Sequence, residues 1–122
     1  MLSLFTSRPG YSPGQEPAFD VYAVSTRAHA CELAFGQSSV RVVVTRHKRV
    51  VWDSAACKAH GAGARPVTFA EGVPREVTLT WNRKAAGAGC SGSLVPGEWG
   101  TFEAVATADG HSTPVRSFTL KP

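Results

Sequence analysis

The chain of 122 residues contains no isoleucine and a single asparagine, Asn82. No run of apolar residues approaches the roughly 20 needed to cross a membrane as a helix. Met1 to Phe5 is too short, and too poor in positive charge, to be a secretory signal, so an exported parent is expected to carry its signal or anchor upstream. Catalytic signatures are equally scarce. There is no Gly-x-Ser-x-Gly elbow, and Gly87, Gly89 and Gly92 follow a strand-like run without a helix beginning after them, so no phosphate-cradling loop is formed. Asp53 and Glu98 are a pair of carboxylates without a recognisable cleft around them. Cys57 and His60 form one close pair where a structural zinc site normally shows two. These absences point away from an enzyme and from any cofactor or metal.

What is present belongs to an ordinary globular protein, with 43% apolar and 18% charged residues. A chain of this length buries roughly two-thirds of its unfolded surface, enough for one two-layer core. Residues 1 to 17 carry Pro9, Pro13 and Pro17 with Gly10 and Gly14, and read as an extended leader with at most one edge strand. Residues 18 to 122 read as a single domain.

Within that domain the apolar residues alternate, the period of a strand with one wet face. Phe19, Val21 and Ala23 open the first core strand, and Leu33 and Phe35 share a face of the second. Val40, Val42 and Val44 make a third, and Val50 to Trp52 a fourth, the four forming an expected antiparallel meander. After a broken stretch from Ser54 to Ala64, with room for one helical turn, Val67 and Phe69 return to the core. Val77, Leu79 and Trp81 give the plainest alternation, expected antiparallel to the first strand but in the other sheet. Phe102, Ala104 and Ala106 follow the Pro96-Gly97 turn, and Val115, Phe118 and Leu120 follow Asp109-Gly110. Seven or eight short strands joined by Gly and Pro turns predict an all-β fold, an immunoglobulin-like antiparallel β-sandwich.

Two strand-like runs close on a tryptophan and then reach a cysteine: Trp52 before Cys57, and Trp81 before Cys90. Threading the strands up and down places both ends at one pole and predicts a Cys57–Cys90 disulfide, with Trp52 covering it. The loop so closed stabilises the fold by roughly 4 kcal/mol in the chain-entropy model, and the bond implies an oxidising, extracytoplasmic compartment. Cys31 is left as a buried thiol, a dimer contact, or the alternative partner of Cys57.

The formal net charge is +4, with one cluster at Arg46-His47-Lys48-Arg49 between two valine-rich strands. Such a cluster is either the solvated tip of a hairpin or a contact for an anionic partner, another protein or an anionic envelope polymer. No aromatic residues interleave with it to stack on bases, which argues against nucleic acid. Trp81 belongs to the core by its alternation, whereas Trp99, among glycines before the Phe102 strand, is either loop cover or a ligand contact. Arg46, Lys48, Arg49 and Trp99 are therefore the candidate binding residues.

The order Val51-Trp52-Asp53-Ser54-Ala55-Ala56-Cys57, then Val77-Thr78-Leu79-Thr80-Trp81-Asn82-Arg83, Gly87-Ala88-Gly89-Cys90, Pro96-Gly97 and finally Ser112-Thr113-Pro114 resembles immunoglobulin-like domains of actinobacterial cell-envelope proteins. The lack of isoleucine and the excess of arginine over lysine fit the GC-rich genomes of such organisms. The resemblance implies a non-catalytic, secreted or membrane-anchored module of the cell envelope that binds or positions a partner. More distantly, the pattern is similar to the intracellular proteinase inhibitor family of bacilli, the BsuPI type. That second resemblance implies an inhibitor presenting an exposed loop, either Lys84 to Leu94 or the Arg46 to Arg49 tip, to a protease. The segment Pro96-Gly97-Glu98-Trp99-Gly100-Thr101-Phe102 is longer than the inhibitor turn and lacks its tyrosine, and the cysteines also depart from that pattern.

Overall fold

A computed structural model describes residues 2–25, 31–36, 39–56, 66–81 and 99–121. The regular structure of the described residues is almost entirely strand: β1 (Leu2–Thr6), β2 (Gly10–Tyr11), β3 (Ala18–Ala23), β4 (Cys31–Ala34), β5 (Arg41–Arg46), β6 (Arg49–Asp53), β7 (Pro66–Phe69), β8 (Arg75–Thr80), β9 (Gly100–Ala108), β10 (His111–Ser112) and β11 (Arg116–Leu120). A single 3₁₀ turn, Ser54–Ala56, follows β6.

The strands form two principal sheets. One has the order β1-β3-β8, and the other β2-β11-β9-β5-β6 with β10 added beside β9. A separate ribbon pairs β4 with β7. The pairing departs from the simple meander expected of the sequence. β5 and β6 do form a hairpin, but β3 pairs with β1 and β8, and β4 pairs with neither β3 nor β5. β8 runs antiparallel to β3 as expected, yet in the same sheet rather than the opposite one. The proline-rich beginning supplies two strands where at most one was expected, and Leu2, Leu4 and Tyr11 enter the core.

Alternation decides which residues are buried. Phe19 and Val21 from β3, Val77 and Leu79 from β8, Val42 and Val44 from β5, and Phe102, Ala104 and Ala106 from β9 all turn inward. Val115 was expected to join Phe118 and Leu120 but lies before β11 and is exposed.

An aromatic relay joins the sheets. Phe19 stacks on Trp52 with centroids 6.0 Å apart, and Trp52 on Trp81 at 5.9 Å. Trp81 meets Phe102 edge-on at 6.0 Å, and Phe102 stacks on Phe118 at 5.8 Å. Such pairs contribute about 0.5–1.5 kcal/mol each beyond the area they bury. Trp52 is thus a core residue held between Phe19 and Trp81. The two tryptophan-bearing strand ends do meet, across the flank where β6 and β8 are the outer strands. Cys57 and Cys90, their proposed bond, and His60 lie outside the described residues.

Candidate functional site

The basic cluster sits on the turn between β5 and β6, where Arg46 is paired with Arg49. The two residues between them, His47 and Lys48, have φ angles of 50° and 65°. Two consecutive left-handed residues are the signature of a type I′ hairpin turn, which suits the right-handed twist of the flanking strands. The turn of the β9–β10 hairpin shows the same feature, with Asp109 at 48° and Gly110 at 81°. Asp-Gly is the favoured chemistry for that geometry, whereas His-Lys places a Cβ at both strained positions. Pairing with β9 and β6 holds the tip in shape against this cost.

Antiparallel pairing of β5 with β9, Thr45 opposite Glu103, carries the exit of β5 to the entry of β9. Arg46 therefore reaches the start of β9, and its guanidinium lies over the Phe102 ring, 5.4 Å from the centroid. Gly100 adopts a φ of +115°, and a Cβ there would stand 3.5 Å from Arg46 Nη2. Glycine at this position serves the positive φ, since a Cβ would meet Arg46 only at ordinary van der Waals distance. Trp99, immediately before it, is 46% exposed.

The fold thus gathers the four candidate residues at one end of the larger sheet, in two roles. Lys48 and Arg49 are exposed. Arg46 is half-buried against Phe102, and this packing fixes its charge in place. Phe102 and Gly100 complete the site; the Trp99-Gly100 dipeptide before an aromatic strand is the sequence signal for them. The loop Lys84 to Leu94 and Glu98 lie outside the described residues.

Among the described carboxylates, Glu103 stands beside the tip, opposite Thr45, whereas Asp53, Asp20 and Glu76 have their contacts elsewhere. Asp53 binds Arg41 through both oxygens, with Arg41 Nε donating to Oδ1 at 2.9 Å, and it also accepts from Ala55 N at 3.0 Å. It caps the turn after β6. Asp20 and Glu76 lie on the outer face of the three-stranded sheet, where Thr78 Oγ1 donates to Asp20 Oδ1 at 2.8 Å. The Tyr22 phenol is pushed above its ordinary pKa, first by its hydrogen bond to Glu76, then by burial and by the charges of Glu76 and Asp20. Among the described residues, no three His, Cys, Asp or Glu side chains cluster as metal ligands would, and no helix is long and apolar enough to cross a membrane.

No family model matches the chain, and no curated protein matches it in sequence. Solved structures do share its fold. A β-glucosidase from Erythrobacter marinus is 13% identical with a TM-score of 0.60, over 99% of this chain and 15% of its own length. The alkylpurine DNA glycosylase AlkC of Pseudomonas fluorescens, bound to DNA containing an abasic site analog, is 12% identical with a TM-score of 0.56, over 99% of this chain and 30% of its own. A β-glucosidase from Listeria innocua in complex with glucose is 11% identical with a TM-score of 0.54, over all of this chain and 16% of its own. The chain therefore spans less than a third of each of these proteins, and the likeness is one of fold.

Proposed function

We propose that this chain is a non-catalytic immunoglobulin-like β-sandwich module of an exported cell-envelope protein, and that it docks an anionic partner on the β5–β6 tip. The observation that carries the reading is the convergence of Arg46, Lys48, Arg49 and Trp99 at one end of one sheet. A half-buried arginine, two exposed cations and an exposed indole make a surface suited to an acidic protein face or a polyanionic envelope polymer. The opposition of β1-β3-β8 to a sheet centred on β11-β9-β5 supports the immunoglobulin-like assignment. Meeting of the Trp52 and Trp81 strand ends supports a Cys57–Cys90 bond and, through it, the extracytoplasmic address. Matches to parts of much larger proteins fit a module carried within a longer architecture.

The alternative, proteinase inhibition, gains little from the tip. A two-residue left-handed turn is closed on itself, whereas a protease cleft takes an extended segment.

The test is binding of labelled poly-glutamate and of poly(glycerol phosphate), followed by anisotropy across a salt series. The expected result is affinity that falls with salt, is lost in a Lys48→Glu, Arg49→Glu double variant, and is accompanied by a change in Trp99 emission. Equal affinity in the double variant overturns the assignment. A protease panel inhibited at micromolar protein would favour the alternative, and non-reducing peptide mapping reads the cysteine pairing directly.

A further inference from the structure

The two flanks of the sandwich differ. On one, Trp52 and Trp81 stack across the gap between the sheets. On the other, β1 stands beside the segment from His111 to Arg116, and a cleft of about 490 Å³ opens between them, lined by Leu2, Leu4, Phe5, Pro114, Val115 and Arg116 among others.

β1 is the outer strand of its sheet, and its ladder to β3 continues in Ser7 N donating to Ala18 O at 3.1 Å. Backbone groups of a strand point alternately to either side, so Ser3, Phe5 and Ser7 turn theirs to β3 and Leu2, Leu4 and Thr6 turn theirs outward. The Leu4 carbonyl confirms the phase: it accepts from Arg116 Nε at 3.2 Å, on the side away from β3. The same guanidinium lies over the Phe5 ring at 4.8 Å. Phe5 is 44% and Val115 58% exposed, two large apolar side chains at the mouth of one cleft. Among the described residues, the lining includes Arg116 and His111 and no carboxylate.

We propose that this cleft receives an extended acidic peptide of a partner protein. The peptide adds to β1 as an outer strand, sets its apolar side chains against Phe5 and Val115, and brings a carboxylate to Arg116. Outward amides at every second residue supply the main-chain hydrogen bonds of strand addition, and the Arg116 guanidinium, in a cleft lined by no carboxylate among the described residues, supplies the charge preference. A second copy of this chain is a poorer occupant, because pairing β1 with β1 brings two Arg116 side chains together in a chain of net charge +4.

The test is titration with an acetylated synthetic peptide of alternating valine and glutamate, long enough to cover the five residues of β1. The expected result is saturable binding, at least about tenfold weaker for the valine–lysine peptide and for a peptide N-methylated on alternate amides. Arg116→Gln removes the preference for glutamate over lysine. Val115→Glu, at an exposed position clear of the Arg116 hydrogen bond, weakens binding in a protein that still folds, and does so equally in a Lys48→Glu, Arg49→Glu background where the basic tip no longer contributes, separating this cleft from the tip. Equal binding of the two peptide charges, indifference to N-methylation, or no binding overturns the proposal. So does self-association that Val115→Glu abolishes, which would make the occupant a second copy.

Discussion

Replacing Lys48 by glycine should make the protein more stable and a weaker binder. Lys48 holds a φ of 65° and His47 one of 50°, a conformation that costs a residue with a Cβ about 1–2 kcal/mol. Glycine removes that cost but returns about 0.5–1 kcal/mol through the greater freedom of the unfolded chain. The net gain is about 0.5–1 kcal/mol, or roughly 2–5 °C in Tm for a domain of this size. Asn at position 47, which tolerates the left-handed region, should add a few tenths of a kcal/mol while keeping every cation. The β9–β10 turn provides the mirror control. Gly110 occupies the corresponding position at a φ of +81°, with nothing within 4 Å of where a Cβ would stand. Gly110→Lys should therefore lose about as much as Lys48→Gly gains, for backbone reasons alone. Urea unfolding at constant m-value measures both. Polyanion binding separates the variants, since His47→Asn keeps its affinity and Lys48→Gly loses part of it. A midpoint unchanged or lowered in Lys48→Gly, together with a tolerated Gly110→Lys, would refute the argument from turn strain.

Three further outcomes follow from the packing. Trp52→Ala, which breaks the stack between Phe19 and Trp81, should cost about 3–5 kcal/mol in chemical unfolding, whereas Trp99→Ala should change stability by less than about 0.5 kcal/mol and reduce binding. Ser54→Ala strands the buried Val42 amide, which now donates to Ser54 Oγ at 2.8 Å, and should cost about 1–3 kcal/mol by the same assay. The Tyr22 phenol, raised by its bond to Glu76, has a folded-state pKa above its unfolded value. Its contribution to stability is present below the unfolded pKa and lost as pH rises through the folded one. Glu76→Gln should bring tyrosinate absorbance in at lower pH, and an unmoved titration would remove the assigned cause.

Much of the core was written in local alternation. Val77, Leu79 and Trp81, or Val40, Val42 and Val44, declare their inward face because a strand's side chains have a period of two. The same pattern cannot name a partner. β3 pairs with β8 across half the chain, and β4 with β7 across the β5–β6 hairpin, so the meander inferred from nearness in sequence was wrong for all but one hairpin. Leu2 and Leu4 alternate with Ser3 and Phe5 and carried the β1 signal, which the prolines downstream obscured. The charges of the tip were visible, but their placement at the same sheet end as Trp99 depends on β5 lying beside β9. That Arg46 packs on Phe102 rather than standing clear follows from the same pairing. A hairpin tip at Arg46 to Arg49 was legible from its place between two valine-rich strands, but the left-handed backbone of its two central residues was not, since a lysine does not advertise one.

The most direct test of a docking end built from the β5–β6 tip and the start of β9 is residue-by-residue mapping of amide shifts during titration with poly-glutamate at low salt. The expected result is changes concentrated at Arg46 to Arg49 and from Trp99 to Phe102, reversed by added salt. Changes confined to other faces, or an unperturbed spectrum at saturating polymer, would contradict it.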